Sequence, residues 1–344
     1  MNANQKVLQK ILVVRYSALG DVVLATSVLD PLLATFPGAR IEWVTDAAYA
    51  PLLEGLPQIA AVHTLDREGP QSAVSLRDRL SRRFDLAIDL QNKVRSAVIA
   101  RAAAPRRVTF RRRTAGRALL ALLGSDPPLA RAHATQLYAD ALAPLGVRGP
   151  GPLRIHLSRH AQALAADALG HARPPLVAIA PGARWATKRW PVERFAEVAE
   201  ALAAEGASIV LAGGPDDRDA FAAMCAHLRA PVAADLSPLP VDALAAALAR
   251  VQILIACDSG PVHLAAAVGT PALALFGPTS TVRWEPRSPG RALSLGLACS
   301  PCSNHGSDSC PEGHHRCLDD LGAHAVVSAA REMLAGRETA TSER

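Results

Sequence analysis

The 344-residue sequence is poor in aromatic residues and in long apolar stretches, and each shortage excludes a class of protein. Only 4% of the residues are aromatic and no recognised nucleic-acid-binding motif is present, which argues against a protein that stacks bases. No apolar run reaches the length that a bilayer-spanning helix needs. The turn SALGDV after the first strand-like run lacks the G-x-G-x-x-G pattern of dinucleotide-dependent dehydrogenases and epimerases.

The start of the chain and its cysteines bear on the compartment. The opening residues MNANQKVLQK run directly into a strand-like stretch without the pattern of a signal peptide, so we expect a cytoplasmic protein. In that reducing compartment the six cysteines are expected as thiols or metal ligands and not as disulfides.

The net charge of +6 is unevenly distributed along the chain. Residues 1–160 contain 22 Lys and Arg against 12 Asp and Glu, whereas residues 161–344 contain 15 against 19. An anionic partner is therefore drawn to the first half. The alternative is a solvated arginine-rich surface that reflects a general composition bias, because only four of the 37 basic residues are lysines.

Short β-rich runs alternate with Ala- and Leu-rich helical patterns, which is typical of βαβ units and parallel sheets. The ten runs are 11–17, 40–45, 60–65, 85–91 and 106–110 in the first half, and 176–182, 208–214, 230–235, 252–258 and 271–277 in the second. Each set of five is sufficient for one doubly wound sheet, and the cluster GVRGPGP at 146–152 marks the boundary. We predict α/β domains over residues 1–155 and 156–344, with ligands in a cleft at the C-terminal ends of the strands.

The most specific motif is ACDSGPVHLAAAVGTPALALFG, residues 256–277, in which a buried strand is followed by a turn and a small-residue helix. Free backbone N–H groups after Ser259 and Gly260, at the positive end of that helix, suit a diphosphate. His263 in the first turn is able to donate to a phosphate. The alternative is that Asp258 and Ser259 cap the helix and that His263 only packs against its neighbours.

A second motif, IAPGARWATKRWPVERF at 179–195, is a strand followed by a loop with three candidate donor ligands, Arg184, Thr187 and Lys188. Lys188 stands between two tryptophans and offers a point charge to a leaving diphosphate. The alternative is a solvated surface lysine beside core-facing indoles. A third turn, AGGPDDRD, offers Asp217 to a ribose hydroxyl, or begins a helix with it.

VVRYSALGDVVLATSVL, residues 13–29, begins like a nucleotide-binding turn but carries the carboxylate of Asp21 directly after its glycine. A phosphate at that helix N-terminus would favour bare N–H groups, so the acid needs another use. With the diphosphate assigned to the second half, Asp21 is predicted to be the general base that deprotonates an attacking hydroxyl. The alternative is an acid that only stabilises the helix N-terminus.

Together, RYSALGDVVLATSVL, ARWATKRWP, GGPDD and CDSGPVHLAAAVGTPALALFGPT resemble glycosyltransferase family 9, the ADP-heptose:lipopolysaccharide heptosyltransferases. The resemblance implies a GT-B architecture of two Rossmann-like domains, with the acceptor in the first and the nucleotide sugar in the second. It implies direct displacement at the anomeric carbon with inversion of configuration and without a catalytic metal. Asp21 is then the general base, and Lys188 binds the diphosphate. It also implies a donor loop formed by Asp258, Ser259, Gly260 and His263, and a donor contact from Asp217.

The acceptor implied by the resemblance is the lipopolysaccharide inner core, whose carboxylates and phosphates suit a basic first domain. Lys93 and Arg95 follow a strand in DLQNKVRS and are the predicted acceptor contacts, ahead of the arginine-rich run at 106–117. The predicted partners are ADP-heptose or a related nucleotide sugar, this anionic acceptor and, peripherally, the anionic inner membrane leaflet, without nucleic acid. The alternatives are another donor or acceptor, or a non-catalytic sugar-nucleotide-binding protein.

The stretch CSPCSNHGSDSCPEGHHRCLDDL, residues 299–321, places Cys299, Cys302, Cys310 and Cys317 in the spacing C-x2-C-x7-C-x6-C among three histidines. These are the ligand types of a structural zinc site. The alternative is a set of reduced thiols that organises a loop. A similar segment is found in the heptosyltransferase II-like branch of the family, where the resemblance supplies no catalytic cofactor. We call residues 299–317 the cysteine-rich segment; a C-terminal helix is predicted after it.

Overall fold

The computed structural model describes residues 8–66, 70–110 and 132–342. The chain divides into two compact units, Met1–His156 and Leu157–Arg344, one residue from the predicted boundary. Among the described residues, no helix combines the length and the apolar character that a membrane crossing requires.

The first unit contains a five-stranded sheet in the order β3-β2-β1-β4-β5, and every neighbouring pair is parallel. Its strands are β1 (Lys10–Val14), β2 (Arg40–Thr45), β3 (Ala61–Thr64), β4 (Leu86–Asp89) and β5 (Arg106–Thr109). The inner strand β4 is buried along its whole length, whereas the edge strand β5 is mostly exposed. Strands covered on both faces read as continuous apolar runs, which is why this sheet is visible in the sequence.

Helices cover this sheet, and their apolar residues complete its core. The helices are α1 (Leu19–Ala25), α2 (Leu29–Thr35), α3 (Pro70–Leu80), α4 (Val94–Ala103) and α5 (Ala134–Leu142). Leu76 of α3 and Ile99 of α4 pack with Leu12, Val14 and Ala87 of the central strands in one buried cluster.

The second unit contains a six-stranded parallel sheet in the order β11-β10-β9-β6-β7-β8. Its strands are β6 (Leu176–Ala180), β7 (Ser208–Leu211), β8 (Val232–Asp235), β9 (Ile253–Cys257), β10 (Ala272–Leu275) and β11 (Gly290–Leu293). Its helices are α6 (Arg159–Leu169), α7 (Val192–Ala204), α8 (Arg218–Cys225), α9 (Val241–Leu248), α10 (Gly260–Ala267), α11 (Thr281–Trp284), α12 (Arg316–Asp319) and α13 (Ala323–Ser342).

Both sheets reverse their winding direction once, and these two reversals are the topological switch points. In the first sheet the chain moves outward from β1 to β3 and then returns to place β4 on the other side of β1. In the second it moves from β6 to β8 and then returns to place β9 beside β6. The loops after two such strands diverge and leave a crevice at the carboxyl ends, where ligands of open α/β sheets bind.

The predicted class of two doubly wound parallel-sheet domains is confirmed, and all ten predicted strands are present. Strand β11 was missed in the sequence. Its four residues, GRAL, are partly exposed and carry no apolar run. An edge strand that is only partly buried has few apolar residues, so hydrophobic patterning identifies it poorly.

Candidate active site

The first switch point holds Asp21. The carboxylate lies in the first turn of α1, and each of its oxygens has a side-chain partner. Arg15, which directly follows β1, places Nη2 2.6 Å from Asp21 Oδ2, and the Tyr138 hydroxyl of α5 donates to Oδ1 at 2.8 Å. The Arg15 side chain is 1% exposed and that of Asp21 is 16% exposed. The carboxylate is therefore the solvent-facing partner of a mostly buried ion pair.

Arg15 is held in place by groups on several sides. Its Nη1 donates to the carbonyl oxygen of Leu90 at 2.5 Å, and its guanidinium carbon lies 5.5 Å from the centre of the Tyr138 ring. Burial alone lowers the pKa of the Arg15 guanidinium, but the net shift is upward because Asp21 and Tyr138 outweigh it. A permanent cation in contact with a carboxylate favours the ionised form of that carboxylate. The arrangement thus orients an accessible carboxylate at the first switch point.

The turn after β4 is fastened to the loop that carries Asp21. Gln91 accepts the backbone N–H groups of Tyr16 and Ser17, each at 3.1 Å, and its amide nitrogen donates to Ser17 Oγ at 3.2 Å. Asp89 in turn accepts the N–H groups of Gln91 and Asn92. Burial raises the pKa of the Asp89 carboxyl, although these hydrogen bonds oppose the shift. Two loops at one switch point therefore form a single hydrogen-bonded unit.

The predicted acceptor residues lie on this same turn. Lys93 precedes α4 and is exposed, and Arg95 in the first turn of α4 is half-buried. Burial raises the pKa of the Tyr16 hydroxyl, and the charge of Arg95 opposes that rise. Of the alternative arginine-rich run, residues 111–117 lie outside the described residues.

The second switch point brings Lys188 and Asp258 together. Lys188 closes a short 3-10 turn, Ala186–Lys188, in the loop after β6, and Asp258 directly follows β9. Lys188 Nζ lies 2.7 Å from Asp258 Oδ2, and the Thr279 hydroxyl donates to the same oxygen at 2.6 Å. The lysine side chain is 14% exposed and that of the aspartate 6%. The alternative of a solvated surface lysine is therefore wrong.

The donor loop begins α10 as the sequence predicts. Ser259 is the N-cap residue but makes no side-chain capping hydrogen bond, and the Asp258 carboxylate is turned toward Lys188 and Thr279. The alternative in which these two side chains serve to cap the helix is thus wrong. Ser259 Oγ is buried and has no hydrogen-bond partner among the described residues. A buried hydroxyl of this kind needs a partner, and a bound ligand is one.

His263 and Asp217 occupy less open positions. His263 is 4% exposed, and its ring centre lies 6.5 Å from that of Trp284. Asp217 accepts the backbone N–H of Gly214 at 2.8 Å. A Cβ built on Gly182 would lie 1.8 Å from Asp217 Oδ1, so this carboxylate requires a glycine in the turn after β6. Burial is the main cause that raises the pKa of Asp217.

The other two donor candidates differ in accessibility. Arg184 is exposed, with its guanidinium carbon 5.4 Å from the centre of the Trp185 ring. Thr187 is buried, and its hydroxyl donates to the carbonyl oxygen of Ser307 at 2.8 Å. Arg184 thus has access to solvent, whereas the Thr187 hydroxyl is engaged by the cysteine-rich segment.

The four cysteines of that segment are free thiols near one another. The pKa of Cys317 rises to about 11, mainly through burial and then through the charges of Cys302, Cys310 and Cys299. Cys299 Sγ lies 3.9 Å from His314 Nε2. Across the part of the chain that the structure describes, no three His, Cys, Asp or Glu side chains are arranged to hold a metal ion. The structural zinc therefore stays a prediction.

Sequence reasoning missed three side chains that hold the predicted groups: Arg15, Tyr138 and Thr279. Arg15 could have been found in the sequence, because a single basic residue at the end of an apolar strand needs a charged or polar partner when it is buried. Thr279 also follows a strand, β10, whose neighbour β9 leads to Asp258. No local sequence pattern links Tyr138 to Asp21, because the two residues are 117 positions apart in the sequence.

The two parallel-sheet domains have the GT-B fold of glycosyltransferases, as predicted. The model of glycosyltransferase family 9 (heptosyltransferase) matches residues 73–312, a range that contains Lys188 and Asp258. The chain belongs to this family and is a glycosyltransferase.

Individual relatives match over nearly the whole chain. Lipopolysaccharide heptosyltransferase 1 of Pseudomonas aeruginosa is 30% identical over 336 residues, which cover 91% of each protein. Lipopolysaccharide heptosyltransferase 2 of Salmonella typhimurium is 27% identical over 94% of this chain and 98% of its own length. Among solved structures, ADP-heptose lps heptosyltransferase II of E. coli superposes with a TM-score of 0.75 at 26% identity, over 96% of this chain and 100% of that one.

Proposed function

We propose that the protein transfers heptose from ADP-heptose to the inner core of lipopolysaccharide, with inversion at the anomeric carbon. The observation that carries this proposal is the shared form of the two switch points. Each holds an ion pair in which the group that the chemistry needs, Asp21 or Lys188, is the more exposed partner. The names of the relatives supply the sugar and the acceptor.

In the proposed reaction an acceptor hydroxyl oxygen attacks the anomeric carbon and its proton passes to the Asp21 carboxylate. The bond between that carbon and the β-phosphate oxygen breaks, and its electron pair leaves with ADP. The Lys188 ammonium neutralises the charge that develops on the leaving diphosphate. Attack opposite the leaving group inverts the configuration in one step, and no metal is needed for this balance of charge.

The donor site is assigned to the second unit. The diphosphate would accept hydrogen bonds from Lys188, from the Ser259 hydroxyl and from the backbone N–H groups that open α10. Asp258 would act through Lys188, because its carboxylate already contacts the ammonium. Arg184, Thr187, Asp217 and His263 remain candidate contacts to the rest of the nucleotide sugar.

The acceptor site is assigned to the first unit. Lys93 and Arg95 follow the strand next to the one that leads to Asp21, so an anionic core sugar held by them would place a hydroxyl near the carboxylate. The positive charge of residues 1–160 supports an anionic acceptor and a peripheral contact with the anionic inner leaflet. We therefore expect a cytoplasmic protein that meets its lipid-linked acceptor at the membrane surface.

The test is transfer from a panel of nucleotide sugars, led by ADP-L-glycero-D-manno-heptose, to truncated inner-core acceptors that carry no heptose or one heptose. Both acceptors are needed because relatives named heptosyltransferase 1 and 2 match at similar identity, 30% and 27%. Heptose transfer to the one-heptose acceptor would support the II-like branch. Transfer only from a different nucleotide sugar would replace the proposed donor, and tight nucleotide binding without transfer would favour a binding protein.

The structural zinc is proposed separately, with Cys299, Cys302, Cys310 and Cys317 as its ligands. The metal would hold the cysteine-rich segment together and take no part in the transfer. Elemental analysis of the purified full-length protein should find about one zinc per chain. Protein that is free of metal, fully folded and fully reactive toward a thiol reagent would favour reduced thiols instead.

A further inference from the structure

The cysteine-rich segment is fastened to the loop that carries Lys188. The backbone N–H of Thr187 donates to the carbonyl oxygen of Ser307 at 3.1 Å, and the N–H of Ser307 donates to the Thr187 hydroxyl at 2.9 Å. His315 Nε2 lies 2.9 Å from the carbonyl oxygen of Thr187. The residue before Lys188 is therefore held through its N–H, its hydroxyl and its carbonyl by one segment from elsewhere in the chain.

The same segment is fastened to the turn that supports Asp258. The N–H of Ser303 donates to the carbonyl oxygen of Pro278 at 2.9 Å, one residue before Thr279. The Ser300 hydroxyl donates to the carbonyl oxygen of Gly277. Trp284 in α11 donates from Nε1 to the carbonyl oxygen of Asn304 at 3.1 Å. Both partners of the ion pair between Lys188 and Asp258 therefore depend on loops that this segment connects.

Gly306 makes the closest approach. A Cβ built at this position would lie 2.7 Å from Trp185 Cβ and 2.9 Å from Lys188 Cγ and Cδ, which is closer than real Cβ contacts allow. The φ angle of Gly306 is +90°, a conformation that L side chains rarely adopt. The backbone of the segment thus lies directly against the aliphatic stem of the lysine and limits the directions in which its ammonium can point.

We propose that Gly306 and Thr187 are positioning residues for Lys188. The cysteine-rich segment fixes the loop after β6 and the aliphatic part of the Lys188 side chain before the donor binds. The ammonium group is then already ordered when it contacts the diphosphate. A free lysine side chain loses much rotamer freedom when it is fixed, and a group that is already fixed avoids that cost on binding. This inference rests on the proposed function, in which Lys188 contacts the donor diphosphate.

The first test compares two glycine substitutions within one segment. Gly306→Ala introduces a Cβ against Lys188, whereas Gly313→Ala introduces one at a similar φ of +69° with no atom within 4 Å. Both variants place an L side chain at a positive φ angle, but only the first also places a Cβ against the lysine. Titration calorimetry with ADP on the full-length protein should show affinity about tenfold weaker for Gly306→Ala, and within about twofold of wild type for Gly313→Ala.

The second test uses the hydroxyl of Thr187 and covers the case in which Gly306→Ala does not fold. Thr187→Val removes the group that exchanges hydrogen bonds with Ser307 and keeps the side-chain shape, whereas Thr187→Ser keeps the hydroxyl. ADP affinity should fall about fivefold in Thr187→Val and return to near the wild-type value in Thr187→Ser. The loss should appear in the donor KM more than in kcat, and it should vanish in a Lys188→Met background.

The outcomes separate this inference from the function on which it rests. Wild-type protein that binds no ADP and transfers no sugar would overturn the proposed function itself. If the wild type binds ADP and Lys188→Met weakens that binding, the function stands. In that case, equal ADP affinity in Gly306→Ala and Gly313→Ala, or a loss in Thr187→Val that persists in the Lys188→Met background, would overturn the positioning role.

Discussion

Each of the two switch points contains an ion pair with one more buried and one more exposed partner. The buried partner is the cation in the first unit and the acid in the second. In the first unit the cation, Arg15, is 1% exposed and the acid, Asp21, is 16% exposed. In the second unit the acid, Asp258, is 6% exposed and the cation, Lys188, is 14% exposed. Each buried partner is also hydrogen-bonded by its own domain, through Leu90 for Arg15 and Thr279 for Asp258. The comparison suggests one design in which a fixed buried charge orients an accessible charge of opposite sign.

The largest effect is expected from Asp21→Asn. The amide keeps the shape, its oxygen can still accept from Arg15 and its NH2 group can donate to the Tyr138 hydroxyl oxygen, but it cannot take a proton from the acceptor. A general base contributes a factor of about 100 to 10,000 in rate, so kcat should fall about a thousandfold while ADP affinity is unchanged. Steady-state transfer and calorimetry measure the two quantities. Activity within tenfold of wild type would remove Asp21 from the role of base.

The next effect concerns the stability of the second pair. Lys188→Met leaves the buried Asp258 carboxylate with Thr279 as its remaining hydrogen-bond donor among the contacts described above. Removal of one partner of a buried pair costs about 3 kcal/mol of unfolding free energy. Adding Asp258→Asn removes the uncompensated charge, so the double variant should recover most of that loss. Urea unfolding gives the unfolding free energy of both variants. Equal values for the two would show that the unpaired Asp258 carboxylate carries no desolvation cost.

Donor affinity gives a third and smaller effect. The loss of one charge-assisted hydrogen bond to the diphosphate is worth about 2 kcal/mol, which corresponds to roughly thirtyfold in the dissociation constant of ADP. The double variant Lys188→Met with Asp258→Asn should show this loss of ADP affinity, although its unfolding free energy is expected to be close to that of the wild type. The wild-type affinity should also weaken with added salt more steeply than that of the variant. Unchanged affinity would separate Lys188 from the donor.

The smallest effect is expected from Tyr138→Phe. This change removes one neutral donor from Asp21 and retains the ring that packs against Phe110 at a centre distance of 5.2 Å. We expect about tenfold lower kcat and about 1 kcal/mol lower stability. The same change in an Asp21→Asn background should have little further effect on kcat, because Tyr138 acts through that carboxylate. A full additional loss there would indicate that the hydroxyl contacts substrate directly.

The two units also differ in how much of each site the sequence could predict. In the second unit Asp258 directly follows β9 and Lys188 lies in the loop after β6, and these two strands are neighbours in the sheet. In the first unit the acid was visible in the helix turn that follows β1, but its partner Tyr138 comes from a helix far along the chain. Local patterns determine which residues follow a strand, whereas contacts between distant helices depend on packing that no short stretch encodes.

The cysteine-rich segment shows the same limit in another form. Its clustering indicated a metal, and the composition gave no sign that Gly306 would lie against the lysine stem. That contact depends on a glycine with positive φ and on a loop closed over about 120 residues, the separation between Thr187 and Ser307. Patterns of metal-ligand type are visible in a sequence, whereas a close backbone approach is visible only in three dimensions.

The two ion pairs carry one consequence for how such an enzyme can diversify. Arg15, Tyr138 and Asp21 all belong to residues 1–156, whereas Lys188, Asp258 and Thr279 all belong to residues 157–344. Both members of each ion pair therefore come from one half of the chain. A gene fusion at the boundary between the two units therefore exchanges either half of the chain with its charge pair complete. In the proposed function these halves hold the acceptor and the donor, so the two preferences can be inherited separately.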